Sequence, residues 1–397
     1  MAPQASQAER IVVLDGARTA IGSFGGVFAD VPGFELGAAA SVEALKRSGV
    51  AGAEIGEVVT GCIGQVGPDA YNARRVGVAA GLPHEVPALT VNRLCGSGLQ
   101  AIWSAAQEMR WNNLDFALAG GNESMSRMPF YDFGARAGYR LGDRELKDGT
   151  LLMLTDPFDG IHMGVTAENV AREYGVSRAE QDEFAAESQR RAATAEAKAA
   201  FAEEIVAFEV QGRKPYTVEV DEHPKPNTTV ETLAGLRPAF AKDGTVTAGN
   251  ASGINDGGAA LVLARESVAA ERGLQPLVAL EAVTTAAMDP RLMGYAPTFA
   301  LRKLFEQTGL APSDIGTVEL NEAFASQAVA VMRDAGLSAE QTNPYGGAIA
   351  LGHPVGASGA ILALRAARTM VRNDLEHGIV TMCIGGGQAL AALFKRV

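Results

Sequence analysis

The sequence predicts an α/β protein built from two duplicated halves, with a segment inserted into the first. Three observations carry that expectation. Short apolar runs that end in glycine alternate with alanine-rich stretches of helical spacing, the pattern of strands and covering helices. The text of the first third returns in the last third in the same order. Between the copies lies a long region of different composition.

Residues 11–15 form a mostly apolar run followed by Gly16, which reads as a buried strand. Gly49-Val50-Ala51-Gly52-Ala53-Glu54-Ile55-Gly56 is echoed by Gly309-Leu310-Ala311-Pro312-Ser313-Asp314-Ile315-Gly316. Cys95-Gly96-Ser97-Gly98 is echoed by Gly356-Ala357-Ser358-Gly359, and an alanine-rich helical run follows each copy, to Met109 and to Met370. Strands then run into glycines at 118–121 and 383–387. One such landmark is common α/β text; three in the same order mark a duplication. Residues 177–207, rich in Ala, Glu, Gln, Arg and Lys, read as exposed helices. Residues 209–238, polar with Pro and Thr, read as extended or loop-rich. The expected division is an N-terminal half of 1–124 with 253–275, an inserted loop domain of 125–252, and a C-terminal half of 276–397.

Composition narrows the function. With 47% hydrophobic and 20% charged residues the chain is a folded protein. Glycine is 46 of 397 residues, well above the typical ~7%, and it clusters beside apolar stretches where backbones pack closely or wrap a ligand. A net charge of −12 argues against a general nucleic-acid binder. Three cysteines, Cys62, Cys95 and Cys383, imply a reducing compartment without a disulfide framework. The first ten residues have no apolar run of the secretory or transit type, and no stretch reaches membrane-spanning length uninterrupted. A cytoplasmic protein is expected.

Leu99, Ile102, Trp103 and Ala106 share one helix face, which puts Cys95 at the mouth of a helix. N–H groups and the helix dipole there would favour a thiolate; a buried inert thiol is the competing reading. Of five histidines, His353 alone lies in a glycine-rich loop at a helix start, within 346–356, where a base could approach a thiol. Cys383 ends the apolar run 379–382 and leads into Gly385-Gly386-Gly387, which presents a side chain and free N–H groups to a cavity. Cys62 reads as core. Asn321, after the apparent strand 318–320, could bind a water or a carbonyl, or cap a helix. No phosphate loop with its lysine and no zinc-type histidine spacing occur.

Together these residues resemble the thiolase family along essentially the whole chain. The marks are 91–101 around Cys95, Gly120-Gly121-Asn122-Glu123-Ser124-Met125-Ser126, His162-Met163-Gly164-Val165-Thr166-Ala167-Glu168-Asn169, Thr247-Ala248-Gly249-Asn250-Ala251-Ser252-Gly253, Asn321-Glu322-Ala323-Phe324-Ala325, 346–356 and 383–388. The resemblance implies a five-layered αβαβα core of two similar halves plus an inserted loop domain. It implies that Cys95 is acylated by a thioester, that His353 activates Cys95, and that Cys383 moves the α-carbon proton. One oxyanion hole would come from His353 and a water held by Asn321, the other from the N–H groups of Cys95 and Gly385. Coenzyme A or acetyl-CoA would be substrate, with no permanently bound cofactor and no metal. Its contacts would be Leu154, His162, Met163, Ala248, Ser252, Met293, Ala323 and Phe324, with Lys225 toward the nucleotide. Two departures from the family pattern, Tyr295 and Tyr345, either reshape the acyl pocket or fill core. A homotetramer, a dimer of dimers joined through the insertion, is implied, with no nucleic-acid or membrane partner. The expected reaction is acyl transfer between coenzyme A and acetyl-CoA on short to medium 3-ketoacyl chains. Two other readings stay open: a non-catalytic CoA or lipid carrier of thiolase type, and an NAD-type dehydrogenase, although residues 16–19 after the first strand lack the dinucleotide glycine spacing.

Overall fold

A computed structural model describes residues 9–65 and 67–397; Met1 to Ala8, most of the segment read above for a leader, lie outside the described residues. The first half runs β1 (Ile11–Arg18), α1 (Gly33–Ser48), β2 (Ile55–Gly61), α2 (Asn72–Ala79), β3 (Ala88–Val91), α3 (Ser97–Asn112), β4 (Phe116–Ser124) and, after the insertion, β5 (Asn255–Arg265). The insertion carries α4 (Met163–Glu173), α5 (Arg178–Ala192) and α6 (Ala195–Glu204). The second half runs β6 (Val278–Ala287), α7 (Pro297–Thr308), β7 (Thr317–Leu320), α8 (Ala325–Ala335), α9 (Ala348–Leu351), α10 (Ser358–Arg372), β8 (His377–Ile384) and β9 (Gln388–Arg396).

The duplication is visible in the sheet. Its order is β7-β8-β9-β6-β1-β5-β4-β2-β3. Outward from the centre, each half offers two antiparallel pairings and then a parallel one. An isolated parallel bridge, Val318 to Thr342, stands in the second half where β2 pairs with β3 in the first. The halves join where β1 meets β6 antiparallel, over Ile11, Val12 and Val13.

Alternation along the strands produces the layers. Val12, Leu14, Phe116, Leu118 and Val262 face α1, with Ala40, Ala44 and Leu45. Ile11, Val13, Ala117, Leu261 and Leu263 face a central layer of α3 and α10, which Val380, Met382, Leu390 and Phe394 meet from the other half. Ile379, Ala391 and Leu393 face the opposite way, toward α7 and α8. Helix, sheet, helix, sheet and helix therefore stack as five layers. Strands buried on both faces account for the unbroken apolar runs of the sequence. At the centre, glycine lets α3 and α10 abut: a Cβ on Gly98 would lie 2.7 Å from the Ala360 nitrogen, and one on Gly359 would lie 2.3 Å from that of Leu99.

The insertion departs from expectation in one respect. Helices form across 177–207, and Ser177 and Glu180 make a capping box at the start of α5. They are not exposed helices, however: Gln181, Asp182, Ala185, Ser188, Gln189 and Ala192 of α5 and Ala197, Ala200, Phe201 and Glu204 of α6 are buried. The polar members find partners the local composition does not show. Ser188 donates to Glu322 at 2.7 Å and Asn250 donates to Asp182 at 2.9 Å. Buried Glu204 pairs with Arg18 at 2.7 Å and Arg365 at 3.3 Å, and Arg18 pairs with Asp221 at 2.7 Å. Removing one partner from such a buried set typically costs about 3–5 kcal/mol, so the network ties the insertion to β1 and α10.

Candidate active site

Cys95 sits on a sharp elbow two residues before α3. Leu94 has φ of 46°, a strained value for a branched side chain that costs on the order of 1–3 kcal/mol. Hydrogen bonds hold it there. The Leu94 nitrogen donates to Asn92 Oδ1 at 3.0 Å, the Arg93 nitrogen to Ser97 Oγ at 2.9 Å, and Ser97 Oγ to the Leu94 carbonyl at 2.6 Å. The elbow leaves Cys95 half-buried, with its own N–H and that of Gly385 directed at its sulfur. These two donors do not win: burial pushes the thiol up to about 11. The expectation that the helix mouth by itself favours a thiolate is therefore corrected. Desolvation of the charged form outweighs the two N–H donors, and a base must take the proton.

His353 lies between α9 and α10 and is buried. Its backbone N–H donates to Asn255 Oδ1 at 2.9 Å, and Asn255 Nδ2 donates to the Gly22 carbonyl at 3.0 Å. His353 Nδ1 is 2.6 Å from Ser358 Oγ, and that hydroxyl donates to the Pro354 carbonyl at 2.9 Å. A hydroxyl has one proton to give. With it spent on Pro354, the Nδ1 position carries the imidazole proton and Nε2 carries the lone pair. Burial pulls the imidazole down to about 4, so at neutral pH it is an uncharged base. Asn321 Nδ2 is 3.4 Å from Nε2, while Asn321 Oδ1 is buried without a protein partner. Asn321 is not a helix cap, because α8 begins at Ala325 behind Phe324.

Cys383 lies within β8, opposite Ala389, and is fully buried. Its thiol donates to Gln327 Oε1 at 3.9 Å. Burial first, and then the nearby Cys95, push its titration far above the ordinary thiol range. Glu322 braces the surrounding loops: its carboxylate accepts from Ser188 Oγ at 2.7 Å, Asn343 Nδ2 at 2.7 Å and the Ile349 nitrogen at 3.2 Å. Cys62 is buried, as expected, and its thiol lies 3.8 Å from Glu123 Oε1.

Most of the expected coenzyme A residues converge on this centre. Met293, Ala323 and Phe324 share one apolar cluster with Cys383, and Met163 and Phe240 pack against it. His162 stacks on Phe240 at 4.8 Å and caps α4 through Nδ1 to the Gly164 nitrogen at 3.0 Å. Leu154 accepts from the Met163 nitrogen at 2.8 Å. The Ser252 nitrogen donates to the Ala323 carbonyl at 3.0 Å. Ala248 lies apart, lining a cavity of about 260 Å³ with His223, Lys225, Thr228 and Gly249. Sequence reasoning gave no role to Ser358, Asn255, Gln327 or Phe240. The duplication held a clue to Ser358, which matches Ser97 in the first copy. Nothing local marked Asn255. Among the described residues no group of His, Cys, Asp and Glu could hold a metal ion.

Residues 11–267 match the family described as thiolase, N-terminal domain, and residues 274–396 the one described as thiolase, C-terminal domain. The chain belongs to the thiolase family. It is 49% identical to the beta-ketothiolase BktB of Cupriavidus necator, over 98% of this chain and 99% of that one. It is 44% identical to the acetyl-CoA acetyltransferase of Allochromatium vinosum, over 98% and 100%. Among solved structures, the acetyl-CoA acetyltransferase of Bacillus anthracis superposes with a TM-score of 0.96 at 41% identity, covering 99% of this chain and 100% of that one. Human mitochondrial 3-ketoacyl-CoA thiolase in complex with CoA superposes at 0.94 and 38%, covering 98% of each. The two tyrosines that depart from the thiolase pattern both fill core. Tyr345 is buried and bonds Glu196 and Arg372 at 3.3 and 3.4 Å. Tyr295 stacks on Tyr174 at 3.8 Å and donates to Asp334 at 2.9 Å.

Proposed function

We propose that this thiolase moves an acyl group between coenzyme A and acetyl-CoA through an acyl-Cys95 intermediate, by reversible condensation and thiolysis of short to medium 3-ketoacyl-CoA. The observation that supports the reading is the nearness of two cysteine thiols from opposite halves, Cys95 and Cys383, together with a neutral His353 held by Ser358 and facing Asn321. His353 Nε2 takes the Cys95 proton as the sulfur attacks the thioester carbonyl. The carbonyl oxygen gains charge facing the Cys95 and Gly385 N–H groups, and donors placed in this way are typically worth a few kcal/mol each. The coenzyme A sulfur leaves with the proton of Cys383, so that Cys383 is left as a thiolate while His353 keeps the proton taken from Cys95. The Cys383 thiolate then takes a proton from the α-carbon of acetyl-CoA, and the resulting carbanion attacks the acyl carbonyl, releasing the Cys95 sulfur, which recovers its proton from His353. Protonated His353 and a water on Asn321 Oδ1 would hold the enolate oxygen. Thiolysis is the reverse, with Cys383 as acid.

The pantetheine arm would run past Leu154, His162, Met163, Ser252, Met293, Ala323 and Phe324, and the nucleotide end would reach the cavity of Ala248 and Lys225. The intact set Cys95, Asn321, His353 and Cys383 speaks against a non-catalytic carrier. A homotetramer joined through the insertion fits the exposed apolar side chains of Phe130, Phe133, Leu141 and Leu146. Free cysteines fit a cytoplasmic site. No helix among the described residues is long and apolar enough to cross a membrane. The proposed division remains 1–124 with 253–275, 125–252 and 276–397. Trapping with labelled acetyl-CoA followed by peptide mapping tests the mechanism. The label is expected on Cys95; a label on Cys383 or Cys62 with Cys95 unmodified would overturn it.

A further inference from the structure

The wall of the catalytic centre includes a residue that neither the motifs nor the mechanism uses. Phe158 is 71% exposed, an unfavourable setting for a phenyl ring that is not otherwise employed. Its position is tightly specified. The loop 155–162 is closed by an antiparallel bridge between Thr155 and His162 and by the Asp156 nitrogen donating to the Ile161 carbonyl at 2.7 Å. Buried Asp156 directs Oδ1 at two successive N–H groups, Phe158 at 2.9 Å and Asp159 at 3.1 Å. An Asx turn of this kind fixes the backbone at the loop tip. The ring is thereby held over the glycine turn of the active site: its Cε2 lies 3.7 Å from the point where a Cβ of Gly386 would be. Beside it, Leu94 Cδ1 and Met163 Sδ lie 2.9 and 3.8 Å from the corresponding point on Gly385. Leu94, Met163 and Phe158 thus form an apolar rim around the turn whose Gly385 N–H points at the Cys95 sulfur.

We propose that Phe158 is a specificity-determining residue that closes the acyl pocket and limits the length of the chain carried on Cys95. The inference rests on the reading of Cys95 as the acylated residue. An acyl carbonyl held at the Gly385 N–H sends its alkyl chain past Leu94 to the Gly386 side of the turn, where the nearest atom to a Cβ position is Phe158 Cε2 at 3.7 Å. A short chain ends beneath the phenyl ring and is shielded from water by it. Longer chains meet the ring. Because the ring's outer face is in solvent, its removal opens a path for the chain without opening a cavity in the core.

The test compares Phe158→Ala and Phe158→Trp with the unsubstituted enzyme, using kcat/KM for thiolysis of straight 3-ketoacyl-CoA substrates of four, six and eight carbons. Thermal melts and mass-spectrometric acylation of Cys95 accompany each variant. In F158A the eight-to-four-carbon ratio is expected to rise by about tenfold or more, the scale of one or two methylenes in an apolar pocket. In F158W it is expected to fall. Ratios within about twofold of the unsubstituted enzyme in both variants, with Cys95 still acylated, would overturn the role of Phe158 alone. An equal loss on every chain length would also overturn it, as the mark of a structural role. Absence of the Cys95 adduct from the unsubstituted enzyme would remove the acyl-Cys95 reading and this inference together.

Discussion

His353 Nδ1 and Ser358 Oγ lie 2.6 Å apart, and the hydroxyl has already committed its proton to the Pro354 carbonyl 2.9 Å away. This relay assigns the imidazole proton to Nδ1 and leaves the lone pair on Nε2, which faces Asn321 Nδ2 at 3.4 Å. Ser358 is a positioning residue, acting through His353. Replacing Ser358 with Ala lets the ring change tautomer, so kcat is expected to fall by about 10–100-fold with little change in KM, a share of what general base catalysis contributes. Ser358→Thr, which keeps a hydroxyl, is expected to recover most of the rate. Steady-state kinetics on both variants decide the matter; an S358A enzyme with normal kcat would refute the relay.

The pH profile follows from burial. His353 is pulled down to about 4 and Cys95 pushed up to about 11. The imidazole must be neutral to accept the thiol proton. Loss of kcat/KM on the acid side is therefore expected near pH 4–5, not near the ordinary histidine value of ~6.5. The thiol sets no alkaline limb below about pH 10. Short assays across pH 4–9, with a check that the protein stays folded, measure this. An acid limb centred near 6.5 would show that His353 is hydrated in the working enzyme.

Lys225 supplies positive charge at the cavity shared with Ala248. If that cavity takes the phosphates of coenzyme A, Lys225→Ala raises KM for coenzyme A by roughly fivefold, about 1 kcal/mol, and leaves kcat near its original value. Salt should raise KM more in the unsubstituted enzyme than in the variant, because only the former has the screened contact. Equal KM values at low salt would place the nucleotide elsewhere.

Buried Glu319 in β7 has no hydrogen-bond partner on either carboxylate oxygen. Desolvation raises it to about 8, with Arg365 opposing and Glu204 adding to the shift. A carboxyl raised in the folded state contributes stability that is fully present below its unfolded value of ~4.5 and is lost as pH rises through 8. Glu319→Gln removes this titration. The melting temperature of the variant relative to the unsubstituted protein is expected to climb steadily from pH 5 to pH 8, by a few degrees in total. A difference that stays flat with pH would mean that Glu319 is ionised and solvated.

The duplication was legible because its landmarks are local: glycine clusters, a helix start and a strand end, each repeated in order. Cys95, His353, Asn321 and Cys383 were legible for the same reason, each standing at a break between apolar run and glycine. Their partners were not. Ser358, Asn255 and Gln327 are ordinary polar residues in the sequence, and only packing places them on His353 and Cys383. The helices of the insertion misled for a related reason. Their polar composition is that of exposed helices, while Ser188, Asp182 and Glu204 are buried against partners far along the chain.

By itself the sequence determined the strands and helices and the two-half plan and offered the candidate reactive side chains, because periodicity and glycine placement act over a few residues. The tertiary structure alone decided their chemical state. Whether a thiol ionises, which imidazole nitrogen is free and which carboxyl stays protonated depend on how much water is excluded and which donor is within 3 Å. Those are properties of atoms brought together from both halves, such as Cys95 from one and Gly385 from the other.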